Sequence, residues 1–254
     1  MAKLETTQIV RVADAQALAQ KAADIFQQAA QESIAQRGRF AVALSGGSTP
    51  KAMFALLADE PYRTAIHWAR VYLFWGDERC VPPEHADSNY RMTQEALLAH
   101  VAVPPGNVFR IAGEQDPAQA AQEYSAQLRQ FFQTDALPRF DLVFLGMGAD
   151  GHTASLFPGT TALHAAPDAI AVENYVEKLH THRLTLTAAA INHARAIVFL
   201  VSGADKAATL QAVLEGDYQP DLYPSQLIQP VNGTLTWVVD EAAASLSLGK
   251  SGKV

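Results

Sequence analysis

One cysteine, Cys80, stands in a chain of 254 residues, so no disulfide can form within it. That single thiol fits a reducing compartment, and the opening MAKLETTQIV has no apolar stretch of the signal-peptide kind; a cytoplasmic location is the expectation. Apolar runs are five to eight residues long, far short of the ~18 that suggest a membrane span. Lys and Arg number 19 against 26 Asp and Glu, a net charge of -7. This balance argues against nucleic acid or an anionic membrane as the main partner. It leaves room for a small anionic ligand, because one pocket needs only a few basic groups.

Several motifs are also missing. Neither GxxxxGK[ST] nor GxGxxG occurs, so a nucleoside triphosphate or dinucleotide is not indicated. HExxH and CxxC are absent, and the His180-Thr181-His182 pair has no third ligand in view, so no metal or cofactor is expected. There is no GxSxG elbow for a serine nucleophile. Cys80 follows Arg79, which could lower a thiol pKa, but a buried or half-buried cysteine beside a loop is the stronger reading. Direct attack by water is then a simpler mechanism than covalent catalysis.

What the sequence does contain is a series of short apolar runs rich in β-branched and aromatic residues, at 40–44, 71–75, 141–145, 196–201 and 235–239. They are continuous rather than alternating, as strands covered on both faces are. Weaker strand candidates lie at 9–12, 169–172 and 184–187. Between them run helical patterns: Leu18, Ala22, Ile25, Phe26, Ala29 and Ile34 on one long amphipathic helix, then 52–58, 88–100, 117–132 and 206–214. Alternation of this kind predicts a single α/β domain over 1–254, with a doubly wound, mostly parallel sheet flanked by helices. The 249–254 segment is expected to be a frayed tail.

Four of the strong strands end in Gly-rich or charged loops. Ser45-Gly46-Gly47-Ser48-Thr49-Pro50 follows the first, and Gly76-Asp77-Glu78-Arg79 the second. Gly146-Met147-Gly148-Ala149-Asp150-Gly151-His152-Thr153 follows the third, and Ser202-Gly203-Ala204-Asp205-Lys206 the fourth. One such loop would be an ordinary turn; four on one predicted sheet edge point to a ligand site, because open α/β sheets bind ligands there. In the first loop Pro50 suits the first helical position, with Ser48 or Thr49 as cap. Gly46 and Gly47 let main-chain N–H groups approach an anion at the positive end of the helix dipole. Lys206, four residues past Ser202, and Arg183, at the head of the 183–187 stretch, are candidate cations for the same anion. Of the eight histidines, only His152 is framed by glycines and an aspartate, with a short helix expected near Thr153. Histidine can take a proton from water and return it to a leaving group, which makes His152 the candidate for acid–base chemistry.

The stretches 44–50, 76–79, 81–82 with 87–92, 141–158, 183–187 and 202–206 occur in the order of the 6-phosphogluconolactonase family, which the chain resembles over most of its length. That family has the sugar-phosphate isomerase/deaminase-like fold. The resemblance implies hydrolysis of 6-phospho-D-glucono-1,5-lactone to 6-phospho-D-gluconate, in the oxidative pentose phosphate pathway, without a cofactor. The phosphate would sit on the 45–49 loop with Lys206 and Arg183, and His152 would activate water. Arg79 or loop N–H groups would meet the oxyanion, and either Asp150 or Asp77 would orient the imidazole. The amino-sugar-phosphate deaminase/isomerase branch shares much of this pattern, but a glutamate typically precedes the proline of its Asp-Gly-His segment, where this chain has Phe157. A non-catalytic sugar-phosphate sensor is the third alternative. Such sensors usually carry a helix-turn-helix segment, and a first strand near Ile9 leaves no room for one upstream.

Overall fold

The structure is a computed structural model that describes residues 7–246; the tail expected at 249–254 lies outside the described residues. Strand β1 (Thr7–Val12) leads to helix α1 (Ala15–Arg37), whose start is capped by the Asp14 carboxylate accepting from Ala17 N at 2.8 Å. The fully buried β2 (Phe40–Leu44) precedes α2 (Ser48–Leu57) and the single turn α3 (Tyr62–Ala65). Then come β3 (Val71–Trp75), β4 (Asp77–Arg79) and α4 (Asn89–Thr93), which runs on as a π-helical turn over Gln94–Leu98. Beyond β5 (Val108–Phe109), α5 (Pro117–Phe132) begins with Asp116 as cap and proline at its first position. The rest of the chain forms β6 (Leu142–Gly146), β7 (Ala171–Val176), β8 (Thr181–Leu186) and α6 (Ala188–Asn192). It ends with β9 (Ala196–Val201), α7 (Ala207–Glu215) and β10 (Thr234–Asp240).

Seven strands make one sheet in the order β1-β10-β9-β6-β2-β3-β5, and each pairing is parallel. Helices cover its faces, which is why β2, β6 and β9 read as unbroken apolar runs. From α1, Leu18, Ala22, Phe26 and Ala30 turn one stripe inward, all fully buried. The Phe26 ring meets Phe40 edge-on at 5.3 Å and lies parallel to Phe144 at 6.5 Å. Burying a side chain of this size is worth about 1.5–3 kcal/mol. On α5, the buried Tyr124 hydroxyl accepts from Trp75 N at 3.0 Å and donates to Trp75 O at 2.9 Å, which ties the helix to β3. The fold class is therefore the doubly wound α/β arrangement that the strand pattern implied.

The sheet order also locates a crevice. After β2 the chain places β3 on one side of it, and β6 is laid down on the other. Loops leaving the carboxyl ends of β2 and β6 therefore diverge, which opens a gap between them.

Four local expectations need correction. Asp77–Arg79, read as loop, is a short strand that pairs antiparallel with β8, which pairs in turn with β7 to give a second sheet. Its three charged residues carry no apolar pattern, because long-range polar contacts hold them. Arg183 is thus inside β8 rather than at a loop–strand entry. No helix begins at Thr153: its Oγ1 donates to Gly146 O at 2.8 Å, and a Thr153–Leu156 bridge closes a turn in which Ala154 has φ 47°. At α2 the cap is Gly47, without a side-chain cap bond, and Pro50 stands third in the helix rather than first. Among the described residues, no helix is long and apolar enough to cross a membrane.

Candidate active site

A cleft of about 250 Å³ opens at the crevice between β2 and β6, lined by Ser45, Gly46, Gly47, Ser48 and Thr49 on one side and His152 on another. Asp77, Arg79, Asn89, Ser202 and Lys206 also line it. Nine of the eleven residues singled out from the sequence therefore share one cavity; Asp150 and Arg183 do not line it. Leaving β2, the chain passes straight into α2, so the first-turn N–H groups of that helix have no acceptor within it. They face the cleft with the positive end of the helix dipole behind them. Ser45 contributes differently from expectation. Its hydroxyl is buried and donates to Phe144 O at 2.7 Å, which locks β2 to β6 and leaves Ser48 and Thr49 as the hydroxyls of the loop.

Across the cleft, His152 Nδ1 lies 2.5 Å from Asp150 Oδ1. Burial alone would raise the Asp150 carboxyl, but hydrogen bonds from His152 and Lys178 outweigh it and hold the group well below the usual carboxylate range. An ionised Asp150 can only accept, so Nδ1 carries a proton, and in the neutral imidazole Nε2 is the acceptor nitrogen. The imidazole stacks on Phe157, ring centroids 4.2 Å apart and planes 23° apart. Lys178 donates to the second Asp150 oxygen. The sequence left Asp150 and Asp77 as alternative partners for His152, and the geometry pairs it with Asp150.

Asp77 is buried and engaged elsewhere. Its Oδ2 accepts from Ser155 Oγ at 2.7 Å, and its main-chain oxygen accepts from Asn89 Nδ2 at 2.9 Å. Next to it, Glu78 is 2% exposed, and burial pushes its carboxyl above the usual range. It accepts from the main-chain N–H of Asn89 (2.7 Å), Tyr90 (2.9 Å) and Arg79 (2.8 Å), and from Ser88 Oγ (3.1 Å). A buried carboxylate thus holds the start of α4 against β4. Arg79 lines the cleft and donates to Asp87 O. Arg183 sits opposite Arg79 in the β4–β8 register, where burial and then the Arg79 charge lower its pKa. Burial pushes the Cys80 thiol up to about 11, so it stays protonated and unreactive at neutral pH.

Lys206 reaches the cleft from the loop after β9 and pairs with Asp205 at 2.8 Å. The loop itself hangs on Asp240, a buried carboxylate at the end of β10. It accepts from Ser202 Oγ at 2.5 Å, Gly203 N at 3.2 Å and Ala243 N at 2.7 Å. Sequence reasoning passed over Asp240, Asn89, Ser155 and Lys178. Asn89 and Ser155 stand inside conspicuous stretches and could have been found there. Asp240 and Lys178 lie far along the chain from the loops they hold, and carry no local signal.

The family model described as glucosamine-6-phosphate isomerases/6-phosphogluconolactonase matches residues 13–237. A 6-phosphogluconolactonase of Synechocystis is 45% identical over 215 residues, covering 84% of this chain and 86% of its own. That of Rattus norvegicus is 40% identical over 237 residues, with 91% and 87% covered. Among solved structures, the 6-phosphogluconolactonase of Trypanosoma brucei superposes with a TM-score of 0.84 at 28% identity, covering 94% of this chain and 98% of its own. With a model matched over most of its length, and relatives this close lying along nearly all of it, the chain belongs to the glucosamine-6-phosphate isomerase/6-phosphogluconolactonase family.

Proposed function

We propose that this chain hydrolyses 6-phospho-D-glucono-1,5-lactone to 6-phospho-D-gluconate, with water activated by His152. The observation that carries this is the joint lining of one cleft by a helix N-terminus, a lysine and an imidazole backed by a carboxylate. The helix start and Lys206 suit a phosphate, and holding it there orients the ring. Nε2 of His152 takes a proton from water as the water oxygen attacks the lactone carbonyl. Negative charge moves onto the carbonyl oxygen, where Arg79 or a loop N–H meets it. On collapse the bond from the carbonyl carbon to the ring oxygen breaks, and His152 returns its proton to that oxygen. Asp150 stabilises the imidazolium in between.

Deamination is the weaker reading, because Phe157 covers the imidazole where a ring-opening carboxylate would be needed. The substrate is a small phosphorylated lactone rather than nucleic acid or membrane, and the location proposed is the cytoplasm. The test is lactone disappearance timed against its spontaneous hydrolysis, with glucosamine 6-phosphate run in parallel. His152→Ala is expected to fold and to lose about 10²-fold or more in kcat, and Lys206→Met to act mainly on KM. Wild-type turnover in His152→Ala removes the histidine from its role, and ammonia release from glucosamine 6-phosphate favours the deaminase.

A further inference from the structure

Behind His152 lies a second set of contacts that the reaction as written does not use. Lys178 stands in the Glu177–Leu179 turn joining β7 to β8, so it comes from a part of the small antiparallel sheet that does not line the cleft. Its ammonium donates to Asp150 Oδ2, while Asp150 Oδ1 holds His152 Nδ1. The same ammonium lies 4.8 Å from the centroid of the Phe157 ring, the ring that stacks on the imidazole. Both groups that touch His152 away from the cleft are thus gripped by one side chain.

We propose that Lys178 is a positioning residue for the hydrolysis, acting through Asp150 and Phe157 to fix the imidazole plane. This rests on His152 being the base. A carboxylate bound at one oxygen only can swing about its Cβ–Cγ bond. Pinning the other oxygen leaves Oδ1 one direction, toward Nδ1, and so fixes where Nε2 lies. The ammonium on the Phe157 ring adds a cation–π contact that keeps the ring against the imidazole. Lys178 is half-exposed, so water screens both contacts and the effect is smaller than that of Asp150 itself.

Steady-state kinetics on Lys178→Met, Lys178→Arg, Asp150→Asn and the double variant Asp150→Asn/Lys178→Met test this, with His152→Ala as control. Lys178→Met is expected to lower kcat by about 3- to 10-fold with KM within about twofold. Lys178→Arg should recover most of the loss, and Lys178→Met should have little further effect once Asp150 is Asn. If Lys178→Met turns over like wild type while His152→Ala is inactive, the proposal fails and the base assignment stands. An equal loss in the Asp150→Asn background, or a change confined to KM, also overturns it. A wild-type rate in His152→Ala overturns the base assignment instead. As a check independent of turnover, the downfield Nδ1 proton resonance of His152 should shift or broaden in Lys178→Met, and an unchanged resonance contradicts the proposal.

Discussion

Gly148 lacks a side chain because none fits. A Cβ there would lie 2.0 Å from His152 Nδ1 and 2.7 Å from Asp150 Oδ1, inside the pair that orients the imidazole. Gly148→Ala is therefore expected to keep the fold and the KM for a phosphorylated ligand but to lose about 10²-fold in kcat, the usual weight of acid–base catalysis; near-normal kcat would mean that the pair is not needed. Asp150 leaves a second trace, in stability. A carboxyl held below its unfolded value of about 3.9 contributes stability that is complete above that value and disappears as pH falls through the lower folded value. The gap in urea midpoint between wild type and Asp150→Asn should thus narrow as pH drops below about 4. A gap unchanged into strong acid would contradict the assigned shift. His152 was legible in the sequence because Asp150 is two residues away and glycines flank both. Lys178 was not, because its partner Asp150 lies twenty-eight residues back in the chain.

Three parts of the cleft are each held by a buried polar side chain. Ser45 fastens the loop after β2 to β6, Glu78 fastens α4 to β4, and Asp240 at the end of β10 holds the loop after β9. Removing the last one loosens the loop that carries Lys206. Asp240→Ala is expected to cost about 1–3 kcal/mol in unfolding free energy, through donors left unpaired, and to raise KM more than it lowers kcat. A change in stability with unaltered KM would separate that loop from ligand binding. The strands β2, β3, β6 and β9 could be read from sequence because burial on both faces leaves apolar residues, and β10 by its apolar Leu235 and Trp237–Val239. Strand β4 could not, since Asp77 and Glu78 are satisfied by Ser155, Ser88, Asn89 and Tyr90, which only the folded chain brings near. The cap of α2 was misjudged for a related reason: nothing local distinguishes Gly47 from the two hydroxyl residues that follow it.

One parallel sheet and one small antiparallel sheet divide the work. The parallel sheet supplies an anion-facing helix start, Lys206 and the loop bearing His152; the antiparallel one supplies Arg79 and, through the turn at its far end, Lys178. The alternation of apolar strands and helices predicted the first sheet, and the four polar loops at its carboxyl edge predicted their convergence, but neither foresaw the second sheet. The central claim is spatial: one ligand spans the cleft with its phosphate on α2 and its reacting carbon at His152. A crystal structure with 6-phospho-D-gluconate bound tests it most directly. The phosphate is expected within hydrogen-bond reach, about 3 Å, of the Ser48 and Thr49 N–H groups and Lys206 Nζ, with the carboxylate beside His152 Nε2. A phosphate bound away from the start of α2, or a carboxylate turned away from the imidazole, would contradict it.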